Sequence, residues 1–232
     1  MAWRNRFLDS LDEDDLKPLR SQLTAVNLAR GQKLDETGHP IGAVYFPMDA
    51  ILSVVTVMGD GSQVESRTIG RETGYGLMNV LGSPLSQERM EVQVGGRAWR
   101  AGVPAMRAAA GSSASLAHAI ALHSQAAMLL ACRTVACNTL HPAEQRLCRW
   151  LLLTQDRLDS DILPLTQEHL SIMLGVQRTT VTAVASQLQA RKFISYVRGK
   201  ICILDRAAIE AVACECYAEG ERGVAALLGP LH

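Results

Sequence analysis

The stretch Thr166 to Val184, TQEHLSIMLGVQRTTVTAV, constrains this chain more than any other. Leu170, Met173 and Leu174 recur at i, i+3, i+4 spacing and predict a helix from Gln167 to Leu174. Thr166, which follows Pro164 and Leu165, can cap that helix with its hydroxyl. Gly175 falls where the chain must turn sharply, and glycine tolerates the positive φ such a turn needs. A second helix begins near Gln177 and buries Val181, Val184, Ala185 and Leu188. At about 100° per residue, Thr179, Thr182, Ala183 and Ser186 point away from that stripe, with Arg178 on the flank of the first turn. Small polar groups and one arginine suit a surface that approaches base edges in a DNA major groove. Ser171 supplies the small residue required where the two helices cross. A helical hairpin inside a core would explain neither the short glycine turn nor the polar tip.

The residues C-terminal to the motif extend it. After Arg191-Lys192, the run FISYVRGKICIL alternates and turns at Arg198-Gly199-Lys200, which predicts a β-hairpin with two cations at its tip. Such cations contact phosphate, which positions a protein on DNA without reading sequence. The residues expected to touch DNA are therefore Thr166, Gln167, Gln177, Arg178, Thr179, Thr180, Thr182, Ser186, Arg198 and Lys200. The whole chain has 23 basic and 23 acidic residues and no net charge. The charge is unevenly placed: Thr166 to Arg206 holds six basic residues against two acidic, while Asp9, Asp12, Glu13, Asp14 and Asp15 gather near the start. A basic module joined to a neutral or acidic one fits a DNA reader fused to a regulatory domain.

Ahead of the motif the pattern changes twice. Residues 7 to 28 read as helix through Phe7, Leu8, Leu11, Leu16, Leu19, Leu23 and Val26. Short apolar runs come next at Ile41 to Phe46, Ala50 to Val57, Gln63 to Ile69, Met90 to Val94 and Ala98 to Ala101, with a hairpin turn at Met58 to Ser62. Strands this short and closely spaced predict a small barrel or jelly roll. Helix returns at Val103 to Ala110, then Ser112 to Leu140 reads as one long helix. Along it Leu116, Ile120, His123, Ala127, Leu130, Thr134 and Cys137 form a heptad seam, which predicts a homodimer interface. His141-Pro142 breaks the helix, and Leu140 to Pro142 is the expected hinge before another helix reaching about Arg157. Asp159-Ser160-Asp161 reads as a turn, Asp205 to Tyr217 as a last helix, and the tail to His232 as uninformative.

The six cysteines (Cys132, Cys137, Cys148, Cys202, Cys214 and Cys216) contain no C-x-x-C pair. Met1-Ala2-Trp3-Arg4 leads into charged sequence instead of a signal peptide, and no apolar run is expected to span a bilayer. These features predict a cytoplasmic chain with reduced, mostly buried thiols. Cys214-Glu215-Cys216 could bind metal or sense oxidation, but two ligands one residue apart are too sparse to predict a site.

The order of parts resembles the Crp/Fnr family of bacterial transcription regulators, above all in LPLTQEHLSIMLGVQRTTVTAVASQLQARKFISYVRGKICIL. The resemblance implies an α+β chain. It would comprise an N-terminal helix and a jelly-roll, cyclic-nucleotide-binding-like β-roll over residues 1–111, a dimerisation helix over 112–140, and a winged helix-turn-helix over 141–232. It further implies a homodimer on a two-fold operator in double-stranded DNA, with RNA polymerase as a partner. Arg178 matches an arginine many members place on guanine, but the glutamate that commonly follows is Thr179 here and a further arginine is Ala183, so a different operator is expected.

The sensor half departs from the family's cAMP-binding pattern. The pocket positions correspond to Gly74, Gly76, Leu77, Arg89 and Met90. Leu77 stands where a ribose-binding glutamate follows the glycine, and Met90 stands where a hydroxyl follows the arginine, so the usual cAMP mode is not expected. No cysteine precedes Cys132, so the family's N-terminal iron–sulfur cluster is not expected either. No cofactor is implied. A cupin-type metalloenzyme would need several converging His and carboxylate ligands, and His39 is the only histidine in the strand region. With no catalytic motif found, no enzyme activity is expected. The alternative is a β-roll that senses another ligand, a nucleotide such as cyclic di-GMP or a metal in a cupin-like site, and acts mainly through protein partners.

Overall fold

The computed structural model describes Trp3–Leu158 and Ser160–Gly229; Asp159, expected in a turn, and the last three residues of the tail lie outside the described residues. The chain forms two compact units. One is built from the chain up to Val55, Arg67–Met128 and the segment from Ala225; the other from Thr56–Ser66 and Leu129–Val224.

The chain opens with two short helices, α1 (Arg6–Asp9) and α2 (Glu13–Arg20). The strands come next: β1 (Thr24–Leu28), β2 (Lys33–Asp35), β3 (Ala43–Pro47), β4 (Ile51–Val57) and β5 (Gln63–Ile69). A short helix α3 (Leu77–Leu81) precedes β6 (Arg89–Val94) and β7 (Gly96–Gly102), and α4 (Val103–Ser112) leads into α5 (Ala114–Leu140). The strands make two antiparallel sheets, β1-β7-β3 and β2-β6-β4-β5. Phe7, Phe46, Leu52, Met90, Met106, Leu116 and Ile120 fill the core, with Phe7 stacked on Phe46 at 5.3 Å.

The single helix expected over residues 7 to 28 is not formed. Asn5 caps α1 by accepting from the Leu8 backbone N–H, and the chain leaves helix at Ser10. Thr24–Leu28 then pairs with β7 in the register Thr24↔Arg100 to Leu28↔Gly96. Its β-branched Thr24 and Val26 favour an extended strand once a partner edge is present. The expected strands correspond to β3 through β7, with ends shifted by up to two residues.

The long helix is real, but its seam faces inward. Leu116, Ile120 and Cys137 have no exposed surface, His123 is 5% exposed and Thr134 4%, while Ala127 and Leu130 are half-buried. Leu116 and Ile120 belong to the core of the roll. His123 stacks edge-on against Phe7 at 5.0 Å and hydrogen-bonds the Thr73 hydroxyl at 2.8 Å. Most of the heptad residues are therefore taken up by the chain's own packing. A second row on the same helix is exposed instead: Ala114, His118, Ala121, Gln125, Met128, Cys132, Val135 and Thr139. Its spacing alternates between four and three residues, as a coiled-coil seam requires. By length and composition α5 is long and apolar enough to cross a membrane, contrary to expectation.

The second unit continues from α5 into α6 (Ala143–Leu158), β8 (Ile162–Leu163), α7 (Gln167–Leu174) and α8 (Arg178–Ala190). The hairpin β9 (Ile194–Val197) and β10 (Lys200–Ile203) comes next, then α9 (Arg206–Val212) and α10 (Cys216–Leu228). β8 adds a third strand to the hairpin, in the order β8-β10-β9. Trp150, Leu151, Leu170, Leu174, Val181, Leu188, Ile201 and Ile209 form its core. The expected last helix is two: α9 is capped by the Asp205 carboxylate and ends where Ala213 turns extended. α10 then occupies the tail whose composition predicted no element. Gly223 serves close packing, since a Cβ there would lie 2.9 Å from the Leu129 side chain.

Candidate nucleic-acid interface

The α7–turn–α8 segment is built as its sequence dictates. Thr166 Oγ1 accepts from the His169 backbone N–H at 3.3 Å and starts α7. Gly175 ends α7 with φ +59°, in the left-handed region where a Cβ costs energy. Arg146 Nη1 donates to the Leu174 carbonyl at 2.7 Å, satisfying one of the carbonyls that a helix end leaves open. α8 begins at Arg178, with Gln177 extended at its N-cap and making no side-chain cap hydrogen bond. Val181, Val184, Ala185 and Leu188 are buried, as the periodicity predicts.

The opposite face is open. Gln177, Arg178, Thr179, Thr182, Ala183 and Ser186 are exposed, Thr180 is half-buried, and Gln167 is exposed at the start of α7. The first-turn N–H groups of α8 can receive phosphate. Arg178 pairs with Glu168 at 3.0 Å, with both side chains more than half exposed. Such a pair contributes at most ~1 kcal/mol and yields readily to a better partner. Thr182 Oγ1 turns back to the Arg178 carbonyl at 2.9 Å, which leaves its methyl group outward.

The hairpin tip has φ +50° at Arg198 and +75° at Gly199, the paired left-handed conformation of a tight two-residue turn. A Cβ at Gly199 would come within 3.2 Å of Thr166 Cγ2, so the tip abuts the cap of α7. Arg198 and Lys200 are exposed there, beside the two-helix face. The structure thus gathers the expected DNA-contacting residues around one surface. Sequence reasoning missed two contributors: Glu168, which holds Arg178, and Arg146, which closes α7.

The residues expected around a ligand pocket have other occupations. Leu77 is 3% exposed and Met90 is fully buried, both in the core of the roll. A Cβ at Gly74 would lie 2.7 Å from Phe46 Cδ1, and Gly76, at φ +85°, caps α3. Arg89 Nε donates to Glu36 Oε2 at 2.8 Å. A phosphate there would have to displace that carboxylate. The pairing of β2 with β6, which sets Asp35 opposite Met90, brings Glu36 beside Arg89. Nearby, burial raises the Asp35 carboxyl, opposed by a hydrogen bond to Tyr75, and burial pushes the Tyr75 phenol well above its ordinary range.

A jelly-roll unit joined by a long helix to two helices and a hairpin wing defines a winged helix-turn-helix protein with a β-roll. Residues 145–212 match the Crp-like helix-turn-helix domain family. The chain therefore carries a Crp-like helix-turn-helix domain. Among solved structures it resembles FixK2 from Bradyrhizobium japonicum, with a TM-score of 0.72 and 16% identity over 83% of this chain and 98% of that one. A CRP-family transcriptional regulator from Thermus thermophilus gives a TM-score of 0.68 and 18% identity over 81% and 96%. The c-di-GMP responsive global regulator CLP of Xanthomonas campestris gives 0.67 and 14% over 83% and 99%. At these identities the likeness is one of fold. No curated protein matches the chain by sequence.

Proposed function

We propose that this chain is a sequence-specific transcription regulator that binds double-stranded DNA as a homodimer in the cytoplasm, meets RNA polymerase at its promoters and has no enzyme activity. The observation that carries the reading is the exposed face of α8, from Gln177 to Ser186, flanked by the Arg198 and Lys200 wing tip. Two such faces on a two-fold axis would sit about 34 Å apart, one DNA turn. The exposed row on α5, from Ala114 to Thr139, is the seam that would bring them together. The Leu77 and Arg89 environments favour regulation without the usual cAMP mode.

The test is selection of an operator from random duplexes by the purified chain, then anisotropy titration. Arg178→Ala removes a base-edge donor worth ~1–3 kcal/mol, so specific affinity should fall ~5- to 150-fold while non-specific affinity changes little. Undiminished specificity in that variant would sink the assignment of Arg178. The Xanthomonas protein is described as c-di-GMP responsive, so the same titration with and without cyclic di-GMP and cAMP separates a ligand-controlled dimer from a constitutive one.

A further inference from the structure

Outside the DNA-binding face, one cluster of side chains among the described residues has no role in that reading. Cys137, in the last turn of α5, and His141, in the connector to α6, meet Cys214 and Cys216 from the junction of α9 and α10. Their four ligand atoms all lie within 4.8 Å of one another. Cys137 Sγ is 3.5 Å from Cys214 Sγ, and Cys216 Sγ is 3.6 Å from His141 Nδ1. Zinc–sulfur bonds of about 2.3 Å in a tetrahedron set neighbouring ligands ~3.7 Å apart, and no two ligands of one ion can exceed ~4.6 Å. The two closest pairs match that tetrahedral edge, and the remaining separations, none above 4.8 Å, would close on binding an ion. The cysteines are free, and no disulfide joins Cys137 to Cys214.

We propose that Cys137, His141, Cys214 and Cys216 form a tetrahedral Cys3His site that holds one zinc ion per chain. Binding would release the three thiol protons to solvent and leave a net charge of −1 on the complex. Arg149 supplies the counter-charge. It is 2% exposed, and its Nη1 lies 3.9 Å from Cys137 Sγ. Its other contacts are the Thr134 hydroxyl and the Trp150 ring, both neutral. A buried guanidinium needs an anion, and metal-bound thiolates provide one. The histidine is also oriented for ligation: Nδ1 faces the sulfurs while Nε2 lies 3.1 Å from the Glu215 carboxylate. An outer carboxylate on the second ring nitrogen is the usual way a ligating histidine is held.

Such an ion would staple the end of α5 and the hinge to the α9–α10 junction, closing a loop between residues 77 positions apart. The sequence offered only C-x-C and a distant C-x-x-x-H, neither sufficient alone. Only the fold joins the two into the four-residue set proposed here.

The experiment is elemental analysis of the full chain, purified reduced, without chelator or histidine tag. The expected result is one equivalent of zinc, lost in Cys214→Ser and His141→Ala and retained in Cys132→Ser and Cys148→Ser. Should the ligand variants fail to fold, the wild-type chain decides: stripping the metal should lower Tm. Cobalt added to the reduced apoprotein should then give tetrahedral thiolate–cobalt absorption. Absence of zinc combined with no cobalt spectrum overturns the proposal. So does stoichiometric iron with visible absorption in place of zinc, or a Cys137–Cys214 disulfide in the protein as isolated. These readouts involve no DNA, so the site can fail while the DNA-binding reading stands, and the reverse.

Discussion

The two faces of α5 give the sharpest quantitative test. Met128 lies on the exposed row and keeps 58% of its surface in the single chain. Full burial of a methionine side chain contributes ~1.5–3 kcal/mol, so the exposed part offers ~1–1.7 kcal/mol per chain and ~2–3.5 kcal/mol per dimer. Met128→Glu removes that gain and sets two carboxylates facing across the seam. The dimer Kd should therefore weaken at least ~30- to 400-fold. The folded monomer should lose no more than ~0.5 kcal/mol, because the side chain is largely in water there. Sedimentation equilibrium measures the first quantity and thermal unfolding of the diluted monomer the second. Ile120→Ala is the contrast: its side chain is fully buried in the roll, so it should cost ~2–5 kcal/mol of folding. A Met128→Glu chain that dimerises as tightly as the parent would refute the exposed-seam argument.

A parallel, in-register seam places Cys132 next to its copy, so mild oxidation should yield a covalent dimer that Cys132→Ser abolishes; cross-linking through Cys137 would restore the inward row as the interface. Arg198→Ala and Lys200→Ala should weaken binding to all sequences, each lowering the slope of log affinity against log salt by about 0.9 for every phosphate left without its cation. A changed base preference in either variant would contradict a purely phosphate role. Burial lowers the His123 pKa to about 4, with the nearby Arg6 adding to the effect. The unfolded chain then takes up a proton first, so stability is full above about pH 6.5 and falls as the pH drops towards 4, by roughly 3 kcal/mol in all. Denaturant titrations should show that slope in the parent chain and a flatter one in His123→Gln.

The local elements of the DNA-binding unit were legible because each is set by residues close in sequence. Thr166, Gly175 and the Val181–Leu188 stripe define the two helices, and Arg198-Gly199 defines the wing, through caps, φ preferences and periodicity. Four matters belonged to the tertiary structure alone. The heptad pattern of α5 could not say which of two rows faces inward, because a helix packed on its own roll and a helix paired with a second chain show the same spacing. Thr24–Leu28 became a strand only because β7 offered an edge. The alanine- and glycine-rich tail forms helix α10, where Gly223 packs closely on Leu129. The Cys3His cluster is the extreme case: its four ligands come from two segments more than 70 positions apart. A sequence determines what each residue can do within a few turns of its own chain, and only the fold brings distant ligands within one ion's reach.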